Sequence, residues 1–187
     1  MVPDGNSAPS GDHPATQWLD EDERSTWLSL MRVLAKLPPL LDGRMERDAG
    51  LNLFEYTILA MLSEQPDGTL RMSRLASVTN ASPSRLSHAA RHLEARGLLA
   101  RVPDPDDGRC IRAVVTAAGR ELVEASAPGH VAAVRELFLD PLTRSQLLAV
   151  RQANEQILDR LDPDGATDPT PPTTPSTTPP TTPEDGR

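Results

Sequence analysis

The chain has 187 residues and a formal net charge of −8, with 37% hydrophobic, 25% charged and 3% aromatic residues. That balance fits one globular core with polar ends and excludes a chain of several large domains. The single cysteine, Cys110, excludes an intramolecular disulfide scaffold, and His13, His88, His92 and His130 with one thiol form no metal-ligand cluster of recognisable spacing. No apolar run approaches the roughly 20 residues of a bilayer span, and Met1 to Asp20 has no basic start followed by an apolar stretch. The expectation is a cytoplasmic protein with no membrane partner, no metal and no cofactor.

Composition divides the chain into three. Residues 1–16 carry Pro3, Pro9, Pro14, Gly5 and Gly11, and residues 162–187 carry eight prolines and eight threonines with no large apolar residue. Neither stretch can bury enough to offset its ordering entropy, so both are expected to be disordered, the second a polyproline-like spacer. The folded domain is expected over 17–161.

Inside it, apolar residues recur at helical spacing. Trp27, Leu30, Met31, Leu34 and Leu37 form one face of a first helix that Pro38-Pro39 is expected to interrupt or bend. Asn52 caps a second helix, with Glu55 as its capping-box partner and Tyr56, Leu59, Met61 and Leu62 inward, ending before Pro66-Asp67-Gly68. Met72 to Thr79 reads as a short helix with Leu75 and Val78 inward. Ser82 caps the next, Pro83 sits in its first turn, Leu86, Ala89, Ala90 and Leu93 make its stripe, and Gly97 ends it. Leu98 to Val102 and Ile111 to Val115 read as a β-hairpin around Pro103-Asp104-Pro105-Asp106-Asp107-Gly108. Thr116 caps a helix toward Phe138, with a kink expected at Pro128-Gly129, and Leu142 to Leu161 is a last helix with a buried or paired face.

Two short helices joined by Thr79-Asn80-Ala81, then an arginine-bearing hairpin, describe a winged helix-turn-helix. The face opposite the apolar stripe carries Ser84, Arg85, Ser87, His88 and Arg91, side chains able to meet base edges in a major groove. Ser82 at the helix start suits a phosphate. At the hairpin tip Asp107 is expected to grip the Arg109 guanidinium bidentately and aim it at the minor groove or its phosphates, with Arg112 on the strand behind. Between Arg71 and Arg112 there are eight arginines against four acids, a local positive excess in an acidic chain.

The stretch from Arg71 to Gly119 resembles the MarR family of bacterial transcription regulators. The L-E-A-R-G-L-L end of the second short helix, the D-x-R of the hairpin and the V-T-x-x-G opening of the next helix carry the likeness, with Asp48-Ala49-Gly50-Leu51 extending it. The resemblance covers about Trp18 to Leu161. It implies a mainly α fold with N- and C-terminal dimerisation helices and a small wing, the DNA-binding part lying at about 51–116. It also implies a homodimer on a pseudo-palindromic operator, usually a repressor, released by a small lipophilic or phenolic effector. Dimerisation also follows from surface arithmetic, because Trp18, Trp27, Leu137, Phe138, Leu142, Leu147, Leu148 and Ile157 exceed what a small core can cover.

Two other classes compete. A winged-helix interaction module that no longer binds DNA is disfavoured by the retained Arg85, Arg91 and Arg109. An enzyme lacks a glycine-rich phosphate loop and paired carboxylates, so no catalytic residue is named. Cys110 is expected to be an inert strand residue rather than a redox sensor. Trp27, Met31 and Tyr56 are as readily core residues as lining of an effector pocket, whose residues the sequence does not give.

Overall fold

The computed structural model describes residues 16–163. Of the stretches expected to be disordered, 1–16 and 162–187, all but residues 16, 162 and 163 lie outside the described residues. The described residues fall into two compact units divided between Lys36 and Leu37.

The first unit holds the start of helix α1 (Glu21–Ala49). Asp20 caps it reciprocally: the Glu23 amide donates to Asp20 Oδ1 at 2.8 Å, and the Asp20 amide donates to Glu23 Oε2 at 2.9 Å. Three acids in its first turn suit the positive end of the helix dipole. Trp27, Leu30, Met31 and Leu34, read from the sequence as one apolar face, are all exposed in the single chain.

In the second unit α1 continues through Pro38 and Pro39, so the expected interruption does not occur. The two missing amides would have bonded the carbonyls of Leu34 and Ala35. Both residues are exposed, so solvent can reach the carbonyls that the prolines leave without a helical donor. Helix α2 (Leu53–Glu64) starts at the Asn52 capping box as its sequence predicts. Strand β1 (Thr69–Arg71), helix α3 (Met72–Val78) and helix α4 (Pro83–Ala95) follow, and then strands β2 (Leu99–Pro103) and β3 (Ile111–Val115). Helix α5 (Ala117–Val134) passes through Pro128 to a π-helical turn, Arg135–Leu139, before helix α6 (Arg144–Leu161). The last helix begins two residues later than its sequence pattern predicts, because Thr143 and Gln146 form a capping box.

The hairpin is one part of a three-stranded antiparallel sheet in the order β1-β3-β2, with Leu70 opposite Ala113 and Arg101 opposite Ala113. Leu51, Ile58, Leu59, Leu62, Leu75, Leu86, Leu93 and Leu99 are fully buried and form the centre of one core beneath α2, α3, α4 and the sheet. Each contributes about 2 kcal/mol of apolar burial. No residue of α6 is buried, and Leu148, Ile157, Leu158 and Leu161 are exposed.

Between α2 and α5, the Tyr56 and His130 ring centroids lie 4.9 Å apart. Burial lowers the His130 pKa below its ordinary 6.5. The unfolded chain then binds the proton first on acidification, so stability falls as pH drops through the window just below 6.5. His130→Gln is expected to flatten that part of the pH dependence in thermal melts between pH 7 and 5. Parallel wild-type and variant curves would contradict it.

Candidate nucleic-acid interface

The turn between α3 and α4 is set by Asn80, whose φ of 46° lies in the left-handed region that asparagine tolerates. The Ala81 amide reaches back to the Ala76 carbonyl at 2.9 Å, closing α3 so that α4 can start at once. Ser82 Oγ accepts the Arg85 amide at 3.3 Å and Pro83 occupies the first turn. Leu86, Ala89, Ala90 and Leu93 are buried, and this leaves Ser82, Ser84, Arg85, His88 and Arg91 exposed and Ser87 partly so. At the other end Gly97 adopts φ 70°, and the Leu98 amide bonds the Leu93 carbonyl at 3.0 Å, which turns the chain into the sheet.

Thr116 then ties the pieces together. Its hydroxyl donates to the Gly97 carbonyl at 2.7 Å and accepts the Gly119 amide at 3.0 Å, while its own amide bonds the Leu98 carbonyl at 3.1 Å. The L-E-A-R-G-L-L and V-T-x-x-G motifs are thus two halves of one joint between α4 and α5.

The arginines divide by role. Arg101 grips Glu94 through Nε at 3.0 Å and Nη2 at 2.7 Å, which links α4 to β2 and holds the Glu94 carboxyl below its usual range. Arg96 donates to the Gly50 carbonyl at 2.6 Å. Arg71 and Arg112 face each other across β1 and β3, and each is relieved by a carboxylate: Arg71 by Asp104 at 2.7 Å, Arg112 by Asp67 at 3.3 Å. Four of the eight arginines counted in the sequence therefore fasten the fold together. Arg85 lies over the Phe54 ring at 4.1 Å, and Arg91 Nε bonds the Ser87 carbonyl at 3.3 Å.

At the wing tip the structure corrects one expectation. Asp107 does not grip the Arg109 guanidinium; its Oδ1 accepts the Arg109 amide at 3.1 Å and its Oδ2 accepts the Cys110 thiol at 3.4 Å. With only one residue between them, the carboxylate reaches its neighbours' backbone before their side-chain ends, as aspartates in turns commonly do. Among the described residues the exposed Arg109 guanidinium has no partner. The bond to Asp107 also raises the Cys110 pKa, which works against a reactive thiolate. Sequence reasoning missed Phe54, Arg71 and Asp104; a carboxylate set between two prolines was the one signal available for the last.

A cavity of about 920 Å³ opens beside α4 and is lined by Pro38, Asp42, Phe54, Glu55, Arg85, His88 and His92 among others. On its wall the buried Glu55 bonds His92 Nδ1 with one oxygen and the Asn52 amide with the other. Asp42 accepts the Leu53 amide at 2.7 Å, so a polar chain runs from α1 through the start of α2 to α4. Among the described residues no group of three or more His, Cys, Asp or Glu is placed to hold a metal, and no helix is long and apolar enough to cross a membrane.

An exposed helix reached through a tight turn, followed by an antiparallel hairpin, defines a winged helix-turn-helix. The model of the MarR family matches residues 49–109. The chain is 35% identical to Sco3205, a MarR family transcriptional regulator of Streptomyces coelicolor solved in complex with DNA; the match covers 84% of this chain and 98% of that one, with a TM-score of 0.77. It is 36% identical to AbsC, another MarR family regulator of that organism, over 78% of this chain and 98% of that one, with a TM-score of 0.74. It is also 36% identical over 96 residues to the HTH-type transcriptional repressor Rv2887 of Mycobacterium tuberculosis, a match covering 51% of this chain and 66% of the relative. The chain belongs to the MarR family, whose members are transcriptional regulators and not enzymes.

Proposed function

We propose that the protein is a cytoplasmic, homodimeric, sequence-specific DNA-binding repressor acting on a pseudo-palindromic operator. The observation that carries this reading is the outward face of α4. Arg85, His88 and Arg91 with Ser82, Ser84 and Ser87 offer bidentate and single hydrogen bonds to base edges and phosphates, and the free Arg109 of the wing stands after them in the fold of a relative solved on DNA. In this reading the domain spans 17–161 and its DNA-binding part about 51–116. Arg112 contributes field rather than contact, since Asp67 holds it. The exposed apolar side chains of α1 and, separately, of α6 support the dimer, because surface of that kind calls for a partner chain.

The same reading assigns release from DNA to a small effector in the cavity beside α4, whose wall includes Arg85 and His88 of the reading helix. A small lipophilic effector fits this lining: Phe54 and the prolines give apolar contact, and Arg85 gives one positive charge.

The test is retardation of duplex DNA from the flanking intergenic region, run at two salt concentrations with sedimentation in parallel. The expected result is a two-fold species bound to one fragment in preference to unrelated DNA, with affinity falling steeply as salt rises. A monomer indifferent to every duplex in dilute buffer would overturn it.

A further inference from the structure

We propose that Asp104 is a positioning residue for DNA binding, fixing the wing loop against the start of the helix-turn-helix so that Arg109 is presented in one place. This rests on the reading of the wing given above. Asp104 is only 3% exposed, yet it lies at the root of a polar surface loop rather than in the apolar core. A buried carboxylate is costly unless its oxygens are paired, and here both are. Oδ2 accepts Arg71 Nε at 2.7 Å and Oδ1 accepts the Asp106 amide at 3.0 Å. Its own amide closes the loop on the Cys110 carbonyl at 2.9 Å.

From there the order passes outward. The Cys110 amide bonds the Asp107 carbonyl at 2.8 Å, and the Asp107 carboxylate holds the amide of Arg109. Arg71 is the last residue of β1 and the residue that precedes α3, so the carboxylate joins the wing to the first helix of the reading motif. Arg71 also holds the Asp104 carboxyl below its usual range, which keeps the bond ionic at neutral pH. A loop organised in this way leaves little backbone entropy to be lost when Arg109 meets DNA.

The test measures binding of the full chain to a fluorescein-labelled duplex of the intergenic fragment that wild type retards, using Asp104→Asn, Arg109→Ala and the double variant. Each single change is expected to weaken binding roughly tenfold and to lower the salt slope by about one, and the double is expected to be no weaker than the worse single. Losses that multiply in the double variant, or wild-type affinity in Asp104→Asn, overturn the proposal. If melts show Asp104→Asn unfolded, Arg71→Lys takes its place in the same cycle, since it keeps the charge and removes the Nε bond; multiplying losses there overturn the proposal equally. Wild-type binding by Arg109→Ala while Asp104→Asn is impaired would instead sink the wing reading itself.

Discussion

Gly119→Ala is expected to cost about 3 kcal/mol and to lower the melting temperature by about 10 °C, because its added Cβ would meet the closest contact of any described glycine. Gly119 has ordinary helical backbone, so conformational freedom is not the reason. A Cβ there would lie 2.1 Å from the Leu98 carbonyl oxygen and 3.0 Å from a Val115 methyl. The carbonyl cannot withdraw, because it accepts the Thr116 amide at 3.1 Å in the joint between α4 and α5. The backbone must therefore part where α4, the hairpin and α5 meet. Thermal melts followed by circular dichroism check this, with Gly108→Ala as the control, since no atom lies within 4 Å of its added Cβ. Equal melting temperatures for the two variants would show that the joint is looser than its distances state.

Arg85→Ala is expected to weaken operator binding by about 1 to 3 kcal/mol and to relax preference at one base position. Arg85→Lys is expected to keep most non-specific affinity while losing that preference, because an ammonium lacks the planar fork that matches a guanine edge. Arg85 stands over Phe54 at 4.1 Å, an interaction worth about 0.5 to 1 kcal/mol at an exposed site, too little to keep it from DNA. Titrating operator and single-base variants against both proteins decides the matter. An unchanged ratio between operator and mismatched duplex would remove Arg85 from the reading set.

Most of the fold was legible because its signals are local. Caps at Asn52, Ser82 and Thr116 and the stripe of Leu86, Ala89, Ala90 and Leu93 depend on neighbours within one or two turns. Strand β1 was not legible: three residues after a turn carry no alternation, and only pairing with β3 makes them a strand. Pro38-Pro39 does not end α1, although each proline removes one helical amide, so a local proline signal did not mark a boundary here. In the site, the exposed face of α4 followed from the helical period, whereas the choice between arginines that fasten and arginines that reach out depended on carboxylates distant in sequence. Nothing near Arg71 or Arg112 announces Asp104 or Asp67.

The short strand before α3 has a mechanical consequence. Because β1 is hydrogen-bonded to β3 and runs directly into α3, the hairpin and the helix pair share one framework and must travel together. In the dimer proposed above, a signal that alters grip on a duplex would have one inexpensive route, which is to change the separation or tilt of two such rigid heads. Flexing a wing alone would require breaking a sheet.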